Sequence, residues 1–245
     1  MRIGMVSIWF HRGQSEVTRT LRQALIDNGY EVFIFGRMGA VYGQDMQEKD
    51  DPYWKLPNVF FYPKYEIPAA TLKVWAKSNK LDAVVFNEEY DFNLPIAIGE
   101  IGLKTIHYVD FLHPSWQTEM VAYDQLWSAT QRTTDLLGDM GLADLTTHIG
   151  WGIPDNMPYR GSEAPEYDFF HNAGWVGINY RKGTDLVLEA FSQLSRNTNL
   201  QLSLLVHTQI PPDECAKFFG VHAFIAGVTW RHDTVPAPGL YHLGR

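Results

Sequence analysis

Arg181 and Lys182 stand side by side within NAGWVGINYRKGTDLVLEAFSQL, residues 172–194, just ahead of Gly183 and Thr184. The stretch reads as a strand, a turn and an amphipathic helix. Val187, Ala190, Phe191 and Leu194 recur at i, i+3, i+4 and i+7, which places them on one helical face. Thr184 reads as the N-cap of that helix. A helix N-terminus attracts anions through its unpaired N–H groups and its dipole. Two cations beside it make a site for a phosphate or a diphosphate. The competing reading is an ordinary strand–turn–helix unit with a solvated basic pair, since such pairs are common at turns.

A second strand–turn–helix unit opens the chain. Ile3–Phe10 is a nearly continuous apolar run, as expected of a parallel strand buried on both faces. HRGQSE follows, then a predicted helix over about Ser15–Asn28 with Val17, Leu21 and Leu25 four residues apart. Gly29 closes it and Glu31–Phe35 reads as the next strand. Such a βαβ opening implies a parallel sheet and a right-handed crossover. Ligands bind at the turn between strand and helix in these folds. Gly13 allows close backbone approach there, or is a plain turn glycine, and Gln14 or Ser15 can cap or donate. The turn lacks G-x-G-x-x-G and has no P-loop Lys, so neither NAD nor ATP is favoured.

Composition narrows the function further. The formal net charge of −8 argues against a duplex-binding surface and so against a nucleic-acid partner. Cys215 is the one cysteine, which excludes an internal disulfide and suits a reducing cytoplasm. The nine histidines are scattered without ligand spacing, and no paired-Asp pattern suggests a metal. The 45% hydrophobic content suffices for a sizeable core, yet no apolar run is long enough to span a bilayer. MRIGMVSIWF reads as a buried first strand rather than a signal sequence.

The remaining pattern is that of an α/β chain. Gly36–Pro57 is polar and reads as a long surface loop. Strands are expected at Val59–Tyr62, Ala83–Phe86, Thr105–Val109, Asp124–Ser128 and Gln201–Val206. Helices are expected at Pro68–Asn79, Leu94–Ile101, Gln117–Tyr123, Gln131–Met140 and from Pro211 through Phe219, with a further strand starting at Leu240–His242. Pro154–Pro165 has the composition of an interdomain linker. NEEYDFN follows the Ala83–Phe86 strand, and Glu88 and Glu89 there are acceptor or loop candidates. Adjacent residues of an extended segment point to opposite sides, so the two are no acid/base pair, and solvation is the commoner fate of such residues. A lone strand histidine such as His107 is also more often bonded within a core than catalytic.

RKGTDLVLEAF resembles the opening of the second domain in family 4 glycosyltransferases of the GT-B fold. THIGWGIPDNMP resembles the segment that ends their first domain. The first Arg of the family pattern falls where this chain has Trp175 or Val176. The resemblance implies two Rossmann-like domains. Residues 1–160 would form the N-terminal, acceptor-side domain and residues 161–245 a partial nucleotide-sugar-binding domain. A full doubly wound domain takes about 100–150 residues, so a missing C-terminal segment or a second chain would complete it. The implied activity is transfer of a sugar from a nucleotide-sugar donor to a saccharide, lipid or other hydroxyl acceptor, with retention and without a cofactor or metal. The place would be the cytoplasm or the inner face of its membrane. Arg181, Lys182 and Gly13 would hold the donor diphosphate. Asp110 stands where the family carries a His near the reacting sugar, which makes it the first catalytic candidate and His107 the second. A non-catalytic carbohydrate- or nucleotide-binding assembly module, whose surface the eight tryptophans could line, and a GT-B nucleotide-sugar epimerase are the alternatives.

Overall fold

The computed structural model describes residues 1–38, 50–152, 166–174, 182–208, 215, 217 and 225–232. The chain divides into two compact units, Met1–Asp155 and Asn156–Arg245. In the first, strands β1 (Arg2–Ile8), β2 (Glu31–Arg37), β3 (Val59–Tyr62), β4 (Ala83–Asn87), β5 (Lys104–Val109), β6 (Gln125–Ser128) and β7 (Thr146–His148) form one sheet in the order β3-β2-β1-β4-β5-β6-β7. Every neighbouring pair is parallel. Helices α1 (Gly13–Asp27), α2 (Ala69–Ser78), α3 (Asn93–Gly99), α4 (Gln117–Met120) and α5 (Gln131–Asp139) connect the strands.

Alternation along the strands divides the core between two faces. Val6, Phe33, Phe35, Val84 and Phe86 face one way and pack with Leu72 and Trp75 of α2 and Ile98 of α3. Met5, Ile34, Val85 and Ile106 face the other way and pack with Leu21, Leu25 and Ile26 of α1. Burial on both faces explains why these strands read as continuous apolar runs.

The inner face of α1 departs from the expected apolar stripe. Its buried residues are Ser15, Thr18 and Arg22, with the leucines flanking them. The end of β1 supplies the reason, because it offers polar partners in a dry place. Ser15 Oγ donates to the Ile8 carbonyl at 3.0 Å, and Thr18 Oγ1 donates to Ser7 Oγ at 2.9 Å.

The predicted polar loop 36–57 is also corrected. Gly36 and Arg37 complete β2, and Trp54 is wholly buried. Trp9 Nε1 donates to the Trp54 carbonyl at 2.8 Å, and Tyr53 donates to Glu16 Oε2 at 2.7 Å, fastening this segment to β1 and α1. The Trp54 indole was a strong apolar signal inside a polar stretch. Residues 39–49 lie outside the described residues.

In the second unit β8 (Phe169–Gly174), β9 (Leu204–Thr208) and β10 (Val228–His232) form a parallel sheet in the order β10-β9-β8. Helix α6 (Thr184–Asn197) packs on it through Leu188 and Phe191, which join Ala173, Leu204, Val206 and Cys215 in a core. The buried line of α6 is Thr184, Leu188, Phe191 and Ser192, rotated from the predicted one. Val187 is only partly buried, Ala190 is exposed, and Leu194 keeps 39% of its surface in solvent. The linker 154–165, residues 175 and 176, Leu240–His242 and all but Cys215 and Lys217 of the helix expected from Pro211 to Phe219 lie outside the described residues.

Gly4 lets α2 lie close on β1. A Cβ there would stand 2.5 Å from Leu81 Cδ1 and 2.7 Å from Trp75 Cη2. Gly4→Ala is expected to destabilise the first unit by about 1–3 kcal/mol through overpacking, read as a lower urea midpoint. An unchanged midpoint would contradict this packing.

Candidate functional site

Strand order reverses at β1, with β2 on one side of it and β4 on the other. Their carboxyl ends mark the place where open α/β sheets bind ligands. Gly13 begins α1 at this place. A Cβ on it would meet nothing within 4 Å, so packing does not demand a glycine there. Gln14 is committed to the scaffold. Its Nε2 donates to the Asn87 carbonyl at 2.6 Å, and Asn87 Nδ2 donates back to the Gln14 carbonyl at 2.9 Å and to Thr18 Oγ1 at 2.8 Å. Asn87 is 1% exposed and is the residue that sequence reasoning missed. Its signal was an amide ending an otherwise apolar strand.

On the opposite face of the sheet a buried ion pair links the ends of β2 and β4. Arg37 Nη1 donates to Glu89 Oε2 at 2.7 Å, and Arg37 Nη2 donates to the Glu88 carbonyl at 2.9 Å. The guanidinium also lies over the Tyr65 ring, 4.3 Å from its centroid. Burial pushes the Glu89 carboxyl above the usual range, against the pull of Arg37. Glu88 occupies the left-handed region at φ 51°, where a non-glycine residue is strained. Of the two loop candidates, Glu89 is thus a structural carboxylate, and Glu88 remains at the rim, partly exposed.

Asp110 follows β5 and is exposed. Its carboxylate is near enough to Tyr90 and Tyr108 to disfavour their ionisation. Burial, then Asp110 and Glu88, pushes the Tyr108 phenol up to about 12. The Tyr90 phenol is also pushed up, first by burial, then by Glu88 and Asp110. Beside them Tyr90 stacks on Trp116 with centroids 4.6 Å apart.

His107 is not on this rim. It is wholly buried beneath the Tyr123 ring, 4.7 Å between centroids, and neither ring nitrogen has a hydrogen-bond partner among the described residues. Burial pushes its pKa down to about 3.

In the second unit β8 leads towards α6. Lys182 is exposed, and Gly183 takes the left-handed conformation, φ 63°, at the N-cap position. Thr184, expected to cap, is instead the first helical residue. Its hydroxyl lies 2.8 Å from His171 Nε2, and no side chain caps α6 among the described residues. A helix N-terminus attracts anions in general. Burial and then the Lys182 charge hold the His171 pKa below its ordinary value, which keeps that ring neutral beside the turn. Arg181 lies outside the described residues. Among the described residues no group of three or more His, Cys, Asp or Glu is placed to hold a metal, and no helix is long and apolar enough to cross a membrane.

No family and no curated protein matches the sequence. Solved structures do. A glycosyltransferase from Rickettsia africae superposes with a TM-score of 0.66 at 12% identity, over 99% of this chain and 71% of that one. UDP-GlcNAc 2-epimerase from Neisseria meningitidis, bound to UDP-GlcNAc, gives 0.59 at 9%, over 98% and 74%. MurG from Acinetobacter baumannii gives 0.51 at 14%, over 95% of this chain and 66% of that one. The chain therefore spans two-thirds to three-quarters of the length of these structures. At such identities the likeness establishes the fold, an α/β architecture of the GT-B kind.

Two predictions follow from the buried polar groups. Arg37→Met leaves Glu89 buried without its partner and should cost about 3–5 kcal/mol, measured by chemical unfolding at neutral pH; a loss under about 1 kcal/mol would show the pair to be solvated. His107 is a base with a depressed folded-state pKa, so the unfolded chain binds the extra proton. Its contribution is intact above pH 6.5 and is lost as the pH falls from 6.5 towards about 3. His107→Leu should flatten the stability–pH curve in that window by up to about 1.4 kcal/mol per pH unit. An unaltered slope would mean that the ring charges within the folded protein.

Proposed function

We propose that this chain serves a retaining glycosyltransferase that takes a nucleotide-sugar donor and delivers the sugar to an acceptor hydroxyl. The observation that carries this reading is the β8–α6 turn: a helix N-terminus that opens on a left-handed glycine, beside an exposed Lys182. The fold's likeness to enzymes of nucleotide sugars supports it, as does the resemblance of RKGTDLVLEAF to family 4 sequences.

As the glycosidic bond breaks, charge grows on the departing nucleoside diphosphate. N–H dipoles and a lysine ammonium held beside it stabilise that charge more in the transition state than before it. In this proposal Lys182, the α6 amides and the neighbouring Arg181 grip the diphosphate, and the open space at Gly13 leaves room for ligand. Asp110 orients hydroxyls near the reacting sugar. His107, being enclosed and neutral, takes no part. Residues 1–160 carry the acceptor and residues 161–245 the donor.

A second reading is a nucleotide-sugar epimerase, favoured by the match to a 2-epimerase holding UDP-GlcNAc. Incubation with UDP-GlcNAc and no acceptor separates the two. An epimerase yields the 2-epimer, and a transferase leaves the sugar configuration unchanged.

The proposal predicts that calorimetry detects binding of at least one of UDP, GDP and ADP, and that Lys182→Ala weakens it about tenfold, the worth of one charge-assisted contact. Absence of binding by all three, or binding indifferent to Lys182, would overturn it.

A further inference from the structure

The rim at the ends of β4 and β5 combines two features. The first is aromatic surface. Phe111, 56% exposed, meets Trp116 edge-on at 5.7 Å, and Trp116 in turn stacks on Tyr90 with 29° between planes. Three rings thus crowd a functional strand end, where sheets of this kind present residues to ligands. The second is hydrogen-bonding capacity of both signs. The exposed Asp110 carboxylate accepts, while the partly exposed Tyr90 keeps its phenolic proton and can donate.

We infer that this rim is the acceptor subsite and that its occupant is an uncharged saccharide, one pyranose ring lying against Trp116 and Phe111 with its hydroxyls bonded to Asp110. The inference rests on the transferase reading above and gives it an acceptor class. A sugar ring has an apolar C–H face and a periphery of hydroxyls, each both donor and acceptor. An aromatic face bordered by a carboxylate and a phenol complements both parts. Charge selects among hydroxyl acceptors. The exposed Asp110 carboxylate gives the rim negative charge, and the Arg37 guanidinium is already engaged by Glu89 and the Glu88 carbonyl. An anionic lipid headgroup would meet the repulsion of that carboxylate.

The test is calorimetry of the whole chain with chitotriose, maltotriose and mannotriose, and sedimentation with vesicles of phosphatidylglycerol. At least one trisaccharide should bind, and Trp116→Ala should weaken it about tenfold, with UDP affinity unchanged. Phe111→Ala, at an exposed position, should weaken it severalfold and serves if Trp116→Ala does not fold. Asp110→Asn should cost about tenfold, as loss of a charged acceptor does. Failure of all three trisaccharides to bind, binding indifferent to Trp116 and Phe111, or preferential binding to the anionic vesicles would overturn the inference. UDP binding without trisaccharide binding sinks this inference alone. Trisaccharide binding without any nucleotide binding sinks the transferase reading and leaves a sugar-binding rim.

Discussion

The buried pair of Arg37 and Glu89 is the constraint on which the rim at the strand ends of the first unit depends. Removing both charges from water costs several kcal/mol per ion, and a single contact of 2.7 Å does not obviously recover it. The pair is reinforced by the Asp91 N–H donating to Glu89 Oε1, by the Glu88 carbonyl accepting from Arg37 Nη2, and by the Tyr65 ring. Its consequence is geometric. It joins the ends of β2 and β4 across β1 on one face, while Gln14 and Asn87 join α1 to β4 on the other. The body of the sheet is held by apolar packing, which tolerates small adjustments. The rim is held by directional bonds, which do not. Glu88 is bent into the left-handed region between these two fastenings, and the carboxylate of Asp110 and the aromatic rings stand just beyond.

That division explains which parts of the molecule could be read from its sequence. Strands β1 and β4 were legible because burial on both faces demands nearly continuous apolar runs, and the helices were legible through their spacing and closing glycines, such as Gly102 and Gly141, both at positive φ. The rim was not. Asn87 and Gln14 find each other across 73 positions, and Arg37 and Glu89 across 52, so no local pattern announces them. The α1 stripe misled for a related reason. A helix that covers the polar end of a strand buries hydroxyls, and the leucines that periodicity selects are displaced to its flanks. Strand β7, three polar residues long, carries no signal at all.

The candidate site was legible by residue type more than by role. Gly13, Gln14, Glu88 and Asp110 do gather at the strand ends, but Gln14 and Glu89 belong to the framework, and His107 sits within the core as a neutral ring. The turn before α6 carried its meaning in the order Lys-Gly-Thr. The glycine supplies the left-handed residue, and the threonine turns inward to His171 rather than capping.

If α6 grips a diphosphate, its first-turn amides become hydrogen-bonded when the nucleotide arrives. Hydrogen–deuterium exchange of the chain with and without saturating UDP reads this directly. The account predicts slower exchange concentrated at the amides of residues 183–186. Unchanged exchange there at a UDP concentration that calorimetry shows to be saturating would contradict it.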